Sequence, residues 1–147
     1  YTLSLHDALP IYLVPREHMG NPVIPTQTSM KVLVAGDFCP QERVAERIQC
    51  GDYESVLGEV RPIISDADYS IVNFECPVTK GGEQPILKQG PNLRCSENGM
   101  EAVRWAGFNC VTLANNHFLD YGEEGVFNTM KVCEDNGIDT VGGAKLC

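Results

Sequence analysis

Three short runs of this sequence end in side chains that could do chemistry together. VLVAGD ends in Gly36-Asp37, SIVNFE in Asn73-Phe74-Glu75, and VTLANNH in Asn115-Asn116-His117. Carboxylate oxygen, amide oxygen and imidazole nitrogen form a donor set suited to Mn, Fe, Zn or Mg, and a carboxylate between two ions can bridge them. Two such ions a few ångströms apart activate water and stabilise a leaving oxygen. A histidine with a pKa of about 6.5 can hold or release a proton near neutrality. The competing reading makes Asp37 and Asn116 helix caps and His117 a structural residue. Glu75 resists that reading, because a carboxylate closing a buried apolar run requires a partner.

The elements that would carry these residues follow from periodicity. Lys31 to Ala35 is predicted as a strand buried on both faces, ending at Gly36-Asp37. The segment from Gln41 to Gln49 fits a short helix. Tyr53, Val56, Leu57, Val60, Ile63 and Ile64 recur at helical spacing, with Pro62 expected to kink or end that helix. Tyr69 to Phe74 is predicted as a second strand. The stretch from Pro77 to Asn98 lacks periodicity and reads as a long functional or mobile loop. Beyond it come a helix capped by Ser96 and closed by Gly107, a strand from Asn109 to Ala114, a helix from Tyr121 to Asn136 and a strand from Ile138 to Val141. This alternation predicts an α/β layered domain with a largely parallel sheet, whose strand ends, and hence the three polar runs, share one edge.

Composition narrows the function. The 147 residues, 43% hydrophobic and 21% charged, suit a folded globular chain. A formal net charge of −9 argues against a nucleic-acid or anionic-membrane surface. No apolar run reaches the eighteen or so residues of a membrane helix, and no basic-then-apolar leader opens the chain, so a cytoplasmic, unexported chain is expected. Seven scattered cysteines without a CxxC pair are expected to be reduced, mostly buried thiols. Gly36-Asp37-Phe38-Cys39-Pro40 lacks the glycine spacing of a dinucleotide fingerprint.

Residues 1–11, YTLSLHDALPI, have no periodicity and equal the translation of a common sequencing-adapter DNA, so His6 and Asp7 are set aside. Residues 12–30, with prolines at 15, 22 and 25, read as a leader or loose arm, with Met30 or Met19 as the native start. The folded domain is expected over 31–147.

The segments VAGDF, DADYSIVNFECPV and GFNCVTLANNHFLDYGEEGVFNTM resemble the N-terminal half of the CapA family, linked to poly-γ-glutamate capsule synthesis and related to calcineurin-like metallophosphoesterases. The resemblance spans about residues 31 to 144 and implies the N-terminal half of a metallophosphatase-like layered α/β sandwich, truncated at Cys147. It implies two divalent ions, with Asp37, Glu75 (bridging) and Asn116 as ligands and His117 as the catalytic imidazole. Asn73, Asn115, Asp120 and Gly122 would then lie behind the ligands, orienting them or forming turns. Asp120 would fix the His117 ring or cap the next helix. The sequence departs from the superfamily in two ways: Asp37-Phe38-Cys39 stands where Asp-x-His is usual, and the later histidine-bearing motifs are missing.

The function so implied is hydrolysis or transfer at a phosphoester or amide in capsule metabolism, with an anionic polymer or phosphorylated substrate and capsule-synthesis proteins as partners. The alternative is a non-catalytic, polymer-binding accessory subunit of a polyglutamate synthase. The isolated chain is expected to be inactive.

Overall fold

A computed structural model describes residues 29–143; the expectations for residues 1–11 and for nearly all of the 12–30 arm lie outside the described residues. The order is β1 (Val32–Phe38), α1 (Glu42–Gln49), α2 (Glu54–Leu57), α3 (Arg61–Ser65), β2 (Tyr69–Phe74), α4 (Asn98–Ala106), β3 (Cys110–Thr112), α5 (Gly122–Asp135) and β4 (Asp139–Val141). All four strands are parallel and lie in the sequential order β1-β2-β3-β4. This is the α/β class expected from the alternation.

Sequential order with right-handed crossovers puts every connecting helix on the same side of the sheet. On that side Phe74, Met100, Val103, Val111, Leu113 and Cys133 form the core, each large apolar side chain contributing about 1.5–3 kcal/mol by its burial. Along β2 the two faces alternate: Ser70, Val72 and Phe74 are buried, while Tyr69, Ile71 and Asn73 are only half-buried. Register carries that second face across the sheet to Val32, Val34 and Val141, and Val34 is 72% exposed. No described element covers this face.

Three sequence expectations need correction. β1 runs to Phe38 rather than stopping at Ala35, and it is an edge strand with one open face, not a doubly buried one. The helical stripe from Tyr53 to Ile64 is split into α2 and α3, and Pro62 sits in the first turn of α3. Proline is tolerated there because the N–H it lacks would have had no helical partner. Ser96 does not cap α4, whose N-cap is Glu97 without a side-chain bond. Gly107 closes that helix as expected, at φ 99°, in the left-handed region that glycine enters without strain.

The segment 77–97 forms no helix or named strand, as expected of a long loop, and is held at many points. The Thr79 amide donates to the Cys95 carbonyl at 2.9 Å, and the Cys95 amide donates to the Pro77 carbonyl at 3.0 Å. The Val78 amide donates to Thr129 Oγ1 at 2.8 Å. Glu83 is buried, accepting from the Lys80, Gly81 and Gly82 amides and from Asn128 Nδ2. These bonds replace the periodicity that the sequence lacked.

Among the described residues the cysteines are free: Cys76, Cys95, Cys110 and Cys133 are buried, Cys39 is half-buried and Cys50 is exposed. The Cys76 thiol beside it, and then burial, push the Cys39 thiol well above the usual range. Cys39 draws the Cys76 thiol down, but Cys95 and burial outweigh it and leave Cys76 high as well. Since the thiolate is the reactive form, iodoacetamide at about pH 8 is expected to label Cys50 in the folded chain roughly tenfold faster or more than Cys39 and Cys76. Equal rates, read by peptide mass spectrometry, would contradict this packing.

Candidate functional site

The site begins with an irregularity in β1. Val34 pairs with Ile71, but Asp37, three residues on, pairs with Asn73, only two residues on, so β1 carries one extra residue. Such a bulge reverses the in-out alternation. Without it, Gly36 would face Asn73 and Asp37 would point among the helices. With it, Asp37 shares the open face with Asn73 and Thr112, and Phe38 turns inward to lie 6.2 Å, ring to ring, from Phe74.

Asn73 is the hub of that row. Its Nδ2 donates to Asp37 Oδ1 at 2.7 Å, and its Oδ1 accepts from Thr112 Oγ1 at 2.9 Å and from Asn115 Nδ2 at 3.4 Å. Asn115 also donates to the Phe74 carbonyl at 3.0 Å and accepts from the His117 amide at 3.0 Å. That last bond, a side-chain oxygen closing on the amide two residues later, is an Asx turn that aims His117. Asn116 is exposed, and its side chain makes no hydrogen bond among the described residues.

His117 is held from behind. Its Nδ1 lies 2.8 Å from Asp120 Oδ2, and Asp120 is 0% exposed. The same carboxylate accepts from Lys88 Nζ and, at 2.7 Å, from the Leu93 amide, while the Ile86 amide donates to the Asp120 carbonyl at 2.9 Å. Lys88 Nζ also lies 3.2 Å from His117 Nδ1, but an ammonium only donates. With Asp120 ionised, Nδ1 carries the hydrogen and gives it to Asp120, and Lys88 gives its own to the other carboxylate oxygen. Nε2 is therefore the nitrogen turned to the rim, 4.0 Å from Glu75 Oε1. Asp120 thus fixes the ring rather than capping α5, whose N-cap is Tyr121. Gly122 follows at φ 60°, in the left-handed region that lets the chain turn into that helix.

Burial alone would push the Asp120 carboxyl up, but Lys88, the His117 ring and the Leu93 amide outweigh it and hold it below the usual range. Glu83 is likewise held low, first by the Lys80 amide. Both folded-state values lie below the unfolded ones of about 3.9 and 4.3. Their stabilisation is therefore complete above those unfolded values and is lost as pH falls through the lower folded ones. An acid titration followed by circular dichroism should show these two contributions vanishing only below about pH 4.5. If Glu83→Gln left the acid limb unchanged, its carboxylate would not be part of this linkage.

The structure brings Asp37, Asn73, Asn115, Glu75, His117 and Asp120 together at the C-terminal ends of β1 to β3. Neither Asp37 nor Asn116 caps a helix. Lys88 was missed by sequence reasoning, since one lysine in an aperiodic loop gives no signal of the carboxylate it will meet. As a metal cradle the donors fit in kind but not in number. Asp37 accepts a hydrogen bond on Oδ1 alone, and the Glu75 carboxylate accepts none among the described residues. However, no three His, Cys, Asp or Glu side chains among those residues converge as one ion's ligands.

Comparison with known proteins matches residues 31–146 to the model of a family described as bacterial capsule synthesis protein PGA_cap. The chain is 31% identical over 118 residues to the capsule biosynthesis protein CapA of Bacillus anthracis, covering 79% of this chain and 29% of that protein. It is 29% identical over 89 residues to the PGA biosynthesis protein CapA of Bacillus subtilis, covering 60% of this chain and 23% of that one. The matches thus span less than a third of either relative.

Proposed function

The chain belongs to the bacterial capsule synthesis family PGA_cap, and from that membership we propose that it carries part of a metal-dependent hydrolase or transferase rim acting on a phosphoester or amide. Its role lies in capsule biosynthesis. The observation that carries the finer reading is His117, with Nδ1 committed to a buried Asp120 and Nε2 facing Glu75. A histidine oriented from behind, with one nitrogen free at a rim of carboxylates and amides, is built to hold or move a proton there.

Asp37, Glu75 and Asn116 would hold a pair of divalent ions, with Glu75 able to bridge them and further donors from residues outside those described. The ions would supply Lewis-acid activation of a phosphoryl or carbonyl oxygen and of water. Asn73 would aim Asp37, Asn115 would aim His117, and Nε2 would give a proton to the leaving group. The missing donors would come from whatever covers the open sheet face, because Asp37 and Asn73 project from it. The substrate would be an anionic polymer or a phosphorylated compound, handled together with other capsule-synthesis proteins and not with nucleic acid. No helix among the described residues is long and apolar enough to cross a membrane.

The short donor set also favours a second reading, in which the rim binds polymer without turning it over, as an accessory subunit of a polyglutamate synthase. Metal-dependent turnover by a longer protein containing this chain separates the two. Activity lost in His117→Asn with the fold intact supports the enzyme, and activity unchanged in that variant overturns the assignment of His117.

A further inference from the structure

Thr112 completes the polar row that Asp37 and Asn73 begin on the open face. It pairs with Asn73 in register and is half-buried, between the fully buried Val111 and Leu113. A β-branched residue is ordinary in a strand, and valine would fill the same place. What valine lacks is the hydroxyl, which makes one hydrogen bond among the described residues, to Asn73 Oδ1 at 2.9 Å.

The direction of every bond in this row is fixed from the backbone outward. The Phe74 carbonyl can only accept and the His117 amide can only donate, so Asn115 must turn Nδ2 to the first and Oδ1 to the second, at 3.0 Å each. Asn115 Nδ2 then also faces Asn73, whose Oδ1 receives it at 3.4 Å. On the other side the Asp37 carboxylate, an acceptor only, meets Asn73 Nδ2 at 2.7 Å. A hydroxyl can donate or accept, and this arrangement leaves Thr112 one choice, to donate to Asn73 Oδ1. Its bond is the shorter of the two that reach that oxygen. Asp37 is exposed, so the Asn73 amide is held firmly from the Thr112 side and only lightly from elsewhere. Hydrogen bonds in a chain polarise one another, and a donor on Oδ1 strengthens the donation from Nδ2 to Asp37.

We propose that Thr112 is a positioning residue of this rim, whose hydroxyl holds the Asn73 amide in the one orientation that serves Asp37 on one side and the Asn115–His117 turn on the other. The proposal rests on the reading of the rim as a site that holds ions and moves a proton, and it adds the residue that ties those two arms together. With Asp37 Oδ1 engaged, Oδ2 is the oxygen left for a ligand. Without the Thr112 hydroxyl, Asn73 Oδ1 keeps only the long bond from Asn115, and the amide can twist away from the carboxylate. Asn115 then closes on Asn73, moves off the Phe74 carbonyl, and carries the turn that aims His117 with it.

The test is nuclear magnetic resonance of side-chain and backbone amides on the full 147-residue chain, isotope-labelled and kept in chelator. In Thr112→Val the two Nδ2 protons of Asn73 are expected to draw together in shift and to exchange with water about fivefold faster, the factor that one ordinary hydrogen bond is worth. The His117 amide is expected to shift as well. Thr112→Ser, which keeps the hydroxyl, should return both signals to their parent positions. Thr112→Ala beside Thr112→Ser makes the same comparison without the methyl group, should valine pack badly. Asn73 and His117 signals unmoved in the variants that lack the hydroxyl, even with a lower unfolding midpoint, would make Thr112 an ordinary strand residue and overturn the proposal. Serine signals that match those of alanine would do the same. Because no ion and no turnover enter the measurement, such a result removes the role of Thr112 alone. The rim chemistry stands or falls separately, on the activity of Glu75 and His117 variants.

Discussion

Replacing Lys88 by methionine is expected to destabilise the folded chain by about 3 kcal/mol, the lower end of the cost of stripping a partner from a buried ion pair. The Asp120 side chain is 0% exposed and the Lys88 side chain 20%. Removing the ammonium leaves the carboxylate with the Leu93 amide and the His117 ring, which keep the cost from rising further. Methionine retains the apolar stem, so lost packing is a small part of the effect. Urea unfolding should show a lower midpoint at an unchanged slope. Lys88→Met combined with Asp120→Asn should recover part of the loss, since the second change removes the stranded charge. A single variant within about 0.5 kcal/mol of the parent, as for an ordinary surface change, would mean that the pair is not a clasp.

The second large effect concerns the proposed rim chemistry in a longer protein that contains this chain. Glu75→Gln is expected to abolish tight binding of divalent ions and turnover together, because an amide keeps the shape of the bridge but not its charge. His117→Asn should leave ion binding in place and lower kcat by about 10²–10⁴-fold, the usual contribution of a positioned acid or base. This split distinguishes a residue that holds ions from one that moves a proton. Calorimetry with Mn or Zn, beside kinetics on the same preparations, reads both. Ion affinity unchanged in Glu75→Gln would move the bridge elsewhere, and a His117→Asn enzyme with full kcat would return that imidazole to a structural role.

The class of fold, and the edge at which the three polar runs meet, follow from the sequence without the structure. Apolar runs followed by helical periodicity can satisfy their backbone only as parallel strands with crossovers, and parallel strands bring their C-terminal ends to one side. Asp37, Glu75 and His117 were therefore legible as residues of one edge, and Asp120 as a partner for the imidazole, from local pattern and family resemblance, whereas Asn116 stands exposed beside them without a hydrogen bond among the described residues. Tertiary structure alone decided which way those side chains face and what stands behind them. The extra residue in β1 that turns Asp37 away from the helices is invisible in VLVAGDF, because a bulge is defined by the neighbouring strand. Asn115, next to Asn116 in sequence, differs from it only through the β2 groups it reaches, Asn73 and the Phe74 carbonyl. Lys88 lies 32 residues from Asp120 in an aperiodic segment. Its role arises from a buried charge that must be neutralised where the chain returns to it, and no window of sequence contains both ends of that requirement.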